Sequence, residues 1–541
     1  MVAKATTSYD HYLEYLPESG WPWSLRTLWQ ALGEWMDVSW QSDDEIRAVV
    51  EIELSRQRAR REELSWGLPG AALLPLLRSS GSSGSAPGTL RIFALGMHAT
   101  LLRTPIAHIE LALGDKADSL QLHVPSSTRD FICAASKGLG CQDAEPEFAA
   151  WVKRHISKWI PDSRHAPGFN RMSMASLPHA SMEFRELYGS AMRASDLLIC
   201  TEPPAFCTFF EGMGVPVLMY LGNYPLDYVR PPDYIPALES MVRLATQPLN
   251  VVLTTSADTA VAFEHMALGR HHLAGHEVPE SERASIAHRG ATGPQIATVD
   301  TPLGLHVGDS LHSWSPNMTD GFQLGTILLS RRIHLNSEPE CMIRLLFRAL
   351  GSRLKDEFDL GERLSIDLVT VGEPDAPQHV RTFEAWSSFR AAVLFPMVPC
   401  QLIVYDLYAL GMPMFVPHAT ARLPSYVFRN LKAYSISNPF PVDPPSGTLP
   451  YGYPFRFEKG LEGFVGHGWD AIRAWTLLMP WAMMPHVIEF SGFAEVMSGL
   501  VDVEGLRKVS RLMVKEHTLM MVRSGVLWKG LLGHMLTSRR S

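Results

Sequence analysis

Residues 391–418, AAVLFPMVPCQLIVYDLYALGMPMFVPH, decide the fold. The opening run at 391–396 is apolar with no polar alternation, which predicts a strand covered on both faces, as in a parallel sheet. A helix follows at 402–410 and stops at Gly411, the residue best suited to a left-handed C-cap. A second strand at 414–416 is closed by Pro417. Strand, short helix and strand make a βαβ unit, which only a parallel pairing can use. In such sheets the loops beyond the carboxyl ends of the strands, with the helix N-termini beside them, form the ligand crevice.

Within this stretch, Asp406-Leu-Tyr-Ala-Leu-Gly411-Met-Pro413 resembles the Glu-Ala-Met-Ala-x-Gly-x-Pro signature of glycosyltransferases with two Rossmann-like domains, the GT-B architecture. The resemblance implies that Asp406 holds the ribose hydroxyls of a donor nucleotide. A carboxylate suits a diol because it accepts two hydrogen bonds at once. It also assigns Gly411 and Pro413 to the donor side, although turn chemistry alone accounts for both residue types. The likeness runs in order along much of the chain. Residues 194–200, 214–220 and 250–269 are similar to successive strand and helix units of the acceptor-side domain. Residues 325–332, GTILLSRR, resemble the strand that opens the donor-side domain, and 364–372 a later strand ending in Val-Gly372. By that correspondence Arg332, or Arg331 after a slip of one residue, neutralises the donor diphosphate, and Gly372 lines the donor site. A guanidinium fork matches two phosphate oxygens.

The chain departs from the pattern at several positions. The lysine usually found five residues after the arginine falls on Ser337, and the first glutamate of the Glu-x7-Glu pair on Val398. Asp406 is shorter than glutamate by one methylene, roughly 1.3–1.5 Å of reach. The acceptor-side histidine falls near Thr201, with Glu202 beside it. His98 follows a predicted strand and Gly96, where a crevice residue belongs. Glu202 and His98 are therefore the candidates for the polar group at the reacting centre.

Composition narrows the classes. With 541 residues, more than one core is expected; 46% hydrophobic and 19% charged residues describe a globular chain. A net charge of −8 argues against nucleic acid as the main partner. The six cysteines show no metal-finger spacing, and those inside apolar runs read as free buried thiols, which fits a reducing compartment. Residues 265–276 contain GRHHLAGH, whose spacing matches no common zinc site, so no metal is assigned. No signal peptide or transmembrane run is evident, which leaves localisation cytoplasmic or open. The stretch at 475–484, WTLLMPWAMM, reads as core packing, with a peripheral membrane contact as the alternative.

The expected fold class is α/β, with two Rossmann-like domains facing a cleft. The expected divisions are an N-terminal helical extension at 1–78 and a Ser/Gly linker at 79–89. An acceptor-side domain at 90–300, a donor-side domain at 301–480, and a final strand with C-terminal helices at 481–541 follow. Within the extension, a helix is expected at 43–64, and residues 281–317 read as a loop-rich crossing. The resemblance implies transfer of a sugar from a nucleotide-sugar donor to a hydroxyl of a glycan, lipid or protein. No cofactor is expected beyond that donor as co-substrate. The alternatives are a GT-B-fold binding or scaffold module that has lost the chemistry, and a nucleotide-sugar epimerase on the same fold.

Overall fold

The computed structural model describes residues 89–96, 99–126, 144–155, 177–222, 234–247, 250–260, 263, 296–298, 326–329, 367–370, 383–387, 389–394, 403–418, 476–491 and 493–538, with scattered positions between 44 and 55. These residues build two parallel sheets. The first contains β1 (Leu90–Leu95), β2 (Leu120–His123), β3 (Leu197–Cys200), β4 (Val217–Leu221), β5 (Val251–Thr254) and β6 (Ile296–Thr298), in the order β2-β1-β3-β4-β5-β6. The second contains β7 (Thr326–Leu329), β8 (Asp367–Thr370), β9 (Ala391–Val393), β10 (Met414–Pro417) and β11 (Ile488–Phe490), in the order β11-β10-β9-β7-β8. Every pairing in both sheets is parallel.

The helices are α1 (Ala99–Leu113), α2 (Pro146–His155), α3 (Leu177–Ala194), α4 (Tyr234–Ala245), α5 (Phe383–Ser387), α6 (Ile403–Ala409), α7 (Pro480–Met483), α8 (Phe493–Val501) and α9 (Val503–Ser538). The two faces of the first sheet feed two separate cores, because side chains alternate along each strand. Phe93, Leu198, Met219 and Val252 point to one side, where Trp151, Phe184 and Phe209 pack. Ile92, Ile199, Leu218 and Leu253 point to the other, which α1 and the end of α9 cover. Polar residues at the amino ends fix the register. The Asp196 carboxylate accepts from the Arg91 amide at 2.9 Å, and the Asn250 side chain bridges the Val217 amide and the Leu244 carbonyl at 2.8 Å each.

The structure changes some sequence expectations and keeps others. Residues 281–317 are not all loop, since β6 adds a sixth strand to the first sheet. The segment after β3 is a 3₁₀-helix over Pro204–Phe210, led in by Pro203 and Pro204, which supply no backbone donors. Cys200 and Cys207 are not free thiols but a disulfide with Cα atoms 5.2 Å apart. In the apolar stretch at 475–484, Thr476, Leu477, Leu478, Met479 and Trp481 are buried, so this segment is core and not a membrane patch. Among the described residues no helix is long and apolar enough to cross a membrane.

In the N-terminal extension, the described positions between 44 and 55 are helical, and Val50 is buried in the core. There Arg47 hydrogen bonds His418 at 3.1 Å. The linker at 79–88 and the histidines at 265–276 lie outside the described residues.

Candidate functional site

In an open parallel sheet a crevice forms where successive connections leave in opposite directions. In the first sheet β1 pairs with β2 on one side and β3 on the other, so that switch point lies between β1 and β3. The segments leaving these strands are Gly96 onward and Thr201-Glu202. In the second sheet the switch point lies between β7 and β9, which flank each other while β8 lies outside. β7 ends at Leu329, two residues before Arg331.

The first switch point is closely built. The Thr201 amide donates to the Leu95 carbonyl at 3.0 Å, extending the β1–β3 pairing past the strand ends. A Cβ on Gly96 would lie 1.9 Å from the Thr201 hydroxyl, so any larger residue there would have to turn that hydroxyl aside. The Gly96 amide donates to Ser126 Oγ at 3.3 Å. Thr201 Oγ1 is buried and has no hydrogen-bond partner among the described residues. Glu202 is 3% exposed and precedes a cis peptide bond to Pro203. His98, the other candidate, lies outside the described residues.

Further along the same edge, after β5, the hydroxyls are spent locally. Thr254 donates to the Ser256 carbonyl at 2.9 Å and Thr255 to the Gly222 carbonyl at 3.3 Å. Ser256 and Thr259 share a hydrogen bond at 3.0 Å, and Asp258 is buried between them in sequence. Sequence reading did not single out Thr201, Ser126 or Thr255 as site residues. The available signal was a polar residue directly after a buried strand, as in Cys200-Thr201 and Leu253-Thr254-Thr255.

The second unit meets this edge through α6. The Tyr405 hydroxyl donates to the Thr255 carbonyl at 2.5 Å, so the helix carrying Asp406 lies against the carboxyl end of β5. Asp406 itself is 1% exposed, and every residue of α6 is buried. The carboxylate is therefore enclosed in this arrangement of the two units. The helix is covered on all sides, by its own sheet, the first unit and α9.

Gly411 has φ +69° and ends α6 as a Schellman cap: the Met412 amide donates to the Leu407 carbonyl and the Gly411 amide to the Tyr408 carbonyl. Its carbonyl accepts from Ser510 of α9 at 2.7 Å, and a Cβ would meet Val514 at 2.5 Å. The turn role of Gly411 is thus joined to the docking of the last helix. Gly411→Ala is expected to lower stability by roughly 1–2 kcal/mol from the left-handed backbone alone, with further loss as Val514 is displaced. A urea titration followed by circular dichroism checks this; an unchanged midpoint would rule the cap out as a constraint. The Pro413 carbonyl accepts from the Ala392 amide at 2.9 Å, which aligns β10 on β9. Arg331, Arg332 and Gly372 lie outside the described residues.

Two parallel sheets with one switch point each, tandem in the chain, are braced by a last helix that touches both. α9 docks on α6 through Ser510 and on α1 through Ser524, whose hydroxyl shares a 2.8 Å hydrogen bond with His108 Nδ1. The fold is GT-B-like. No family model matches this chain, and no curated protein does. Solved structures do overlap it. The calicheamicin glycosyltransferase CalG4 is 12% identical, with a TM-score of 0.32 over 81% of this chain and 95% of its own. The glycosyltransferase SnogD from Streptomyces nogalater is 13% identical, with a TM-score of 0.34 over 81% and 98%. The spinosyn rhamnosyltransferase SpnG, solved with thymidine diphosphate, is 10% identical, with a TM-score of 0.31 over 80% and 96%.

Proposed function

We propose that this GT-B-like chain is a glycosyltransferase that binds a nucleotide sugar between its two units and transfers the sugar to a hydroxyl acceptor. The observation that carries the reading is the Tyr405–Thr255 hydrogen bond, which sets the helix bearing the Asp406 signature against the carboxyl edge of the first sheet. In this reading Arg332, or Arg331 beside it, neutralises the diphosphate, and Gly372, Gly411 and Pro413 shape the donor loops. Glu202 or His98 is the polar group nearest the reacting centre, and the unpartnered Thr201 hydroxyl offers the acceptor side a hydrogen bond. Catalysis then rests on charge stabilisation of the leaving diphosphate in a site closed to water. Asp406 reaches the ribose when the Tyr405 contact opens to admit the donor.

A second reading, a GT-B-fold binding or scaffold module without the chemistry, is favoured by the burial of Asp406. Titration with a nucleoside diphosphate separates the two. The enzyme reading expects the melting temperature to rise with ligand, since specific binding to the folded state stabilises it by mass action. Asp406→Asn, which keeps the shape, should then weaken nucleotide binding by roughly 10- to 150-fold, as for hydrogen bonds to a charged group. A variant that melts early but binds nucleotide normally assigns Asp406 to the core. No binding at millimolar nucleotide would refute the enzyme reading.

A further inference from the structure

The outward face of α9 is apolar and cationic together. Leu519, Val522 and Val526, at 43%, 65% and 59% exposure, lie within one stripe because they are three and four residues apart. Leu111 of α1, 37% exposed, flanks them across Gly525, whose missing side chain lets the two helices approach. The same outward face carries Lys508, Arg511, Lys515, Arg523 and Lys529, all exposed. From Lys508 to Lys529 the stripe runs about 32 Å at the helical rise.

The inward face is fixed. Ser510 and Ser524 are hydrogen bonded to the two units, and Met513, Leu527 and Trp528 are core, so the stripe cannot rotate into the protein. Its charge runs against that of the whole molecule. α9 holds six Lys and Arg against two acids, a balance of +4 in a chain of −8. Glu504 pairs with Arg507 and Glu516 with Arg523. Among the described residues no acid pairs with Lys508, Arg511, Lys515 or Lys529.

We propose that this face of α9 docks the protein on an anionic lipid surface, with Val522, Val526 and Leu519 entering the headgroup boundary and the flanking cations meeting lipid phosphates and carboxylates. The chemistry selects this partner over the others. The surface is a helical rod, and its exposed apolar groups are aliphatic, lacking the aromatic anchors usual at a protein hot spot. Nucleic acid offers nothing to the three aliphatic side chains. A bilayer accepts both at once, and lysine and arginine stems snorkel along apolar surface while their heads stay wet. The proposal is independent of the sugar-transfer reading.

The test is co-sedimentation of the full chain with vesicles. Phosphatidylcholine containing about one-third phosphatidylserine should carry the protein down, and pure phosphatidylcholine should not. Raising salt toward 1 M should release it, because the charge attraction is then screened within a few ångströms. Replacing Lys508, Arg511 and Lys515 with glutamine should lower the partition coefficient about 100-fold, at roughly fivefold per cation. Val522→Ser with Val526→Ser should lower it about tenfold or more, by removing inserted apolar surface. Failure of the wild type to bind anionic vesicles overturns the proposal. So does binding that survives either set of substitutions, or a wild-type dimer in light scattering that the valine variants dissolve. The salt titration on the wild type keeps the test decisive should a variant fold poorly.

Discussion

Trp528→Ala is expected to lower stability by about 3–5 kcal/mol, in the range for removing a large aromatic side chain from a packed core. Trp528 is fully buried, stacks on His108 with ring centroids 5.1 Å apart and planes 6° from parallel, and lies 6.5 Å from Tyr220. It belongs to the core on the α1 side of the first sheet, so the loss should appear in that unit. Its indole N–H is buried without a partner, so Trp528→Phe removes an unsatisfied donor as well as volume. The phenylalanine variant should therefore cost well under half as much. Urea melts of the three proteins decide the matter. An alanine variant within 1 kcal/mol of wild type would mean that the end of α9 is not packed on the first unit in solution.

Acid should act at the same place. Burial holds His108 down at about 3, from an ordinary 6.5. A histidine depressed in the folded state stabilises the protein fully above its unfolded value and loses that contribution as pH falls, since the unfolded chain takes up the proton first. Between pH 6.5 and 5 the expected loss is about 2 kcal/mol, and it approaches 5 kcal/mol near pH 3. Glu110 on α1 acts in the opposite sense, because burial raises its carboxyl above the ordinary carboxylate range. Between pH 7 and 5 the comparison with a His108 variant isolates the histidine. His108→Gln should flatten the stability profile over this interval relative to wild type. Parallel profiles would assign the acid response to another group.

Much of this architecture was readable in the residues. The strands at 90–95, 251–254 and 391–393 announce themselves because both faces of a parallel sheet are covered and their sequences do not alternate. Gly411 is legible as a helix end for the same local reason that it has a positive φ. The misses come from contacts distant in sequence. Ser524, Gly525, Gly530 and Gly533 are weak helix formers, yet α9 runs on to Ser538. In the structure Ser524 and Gly525 are where the helix meets α1, with Ser524 bonded to His108 and Gly525 beside Leu111. β6 was missed because Ile296-Ala-Thr298 is too short to show a period, and the hydrogen bonds that make it a strand come from β5. Asp406 reads as an exposed ligand group from its motif. Its burial depends on α9 and the first unit closing over α6, which no local pattern encodes. The candidate donor arginines are legible by sequence position alone, two and three residues after the end of β7.

The dependence of the first sheet on α9 also bears on how the chain is made. Leu527, Trp528, Leu531, Leu532 and Met535 cover a face whose strands are all complete by Thr298. During synthesis the part of that face under α9 stays open until α9 leaves the ribosome, about 10–50 s later at usual elongation rates. The N-terminal unit is thus committed early and sealed late, with a greasy surface exposed in the interval. Nascent chains stalled between the two sheets should be clients of holdase chaperones. C-terminal truncations should fail in expression before they fail in chemistry.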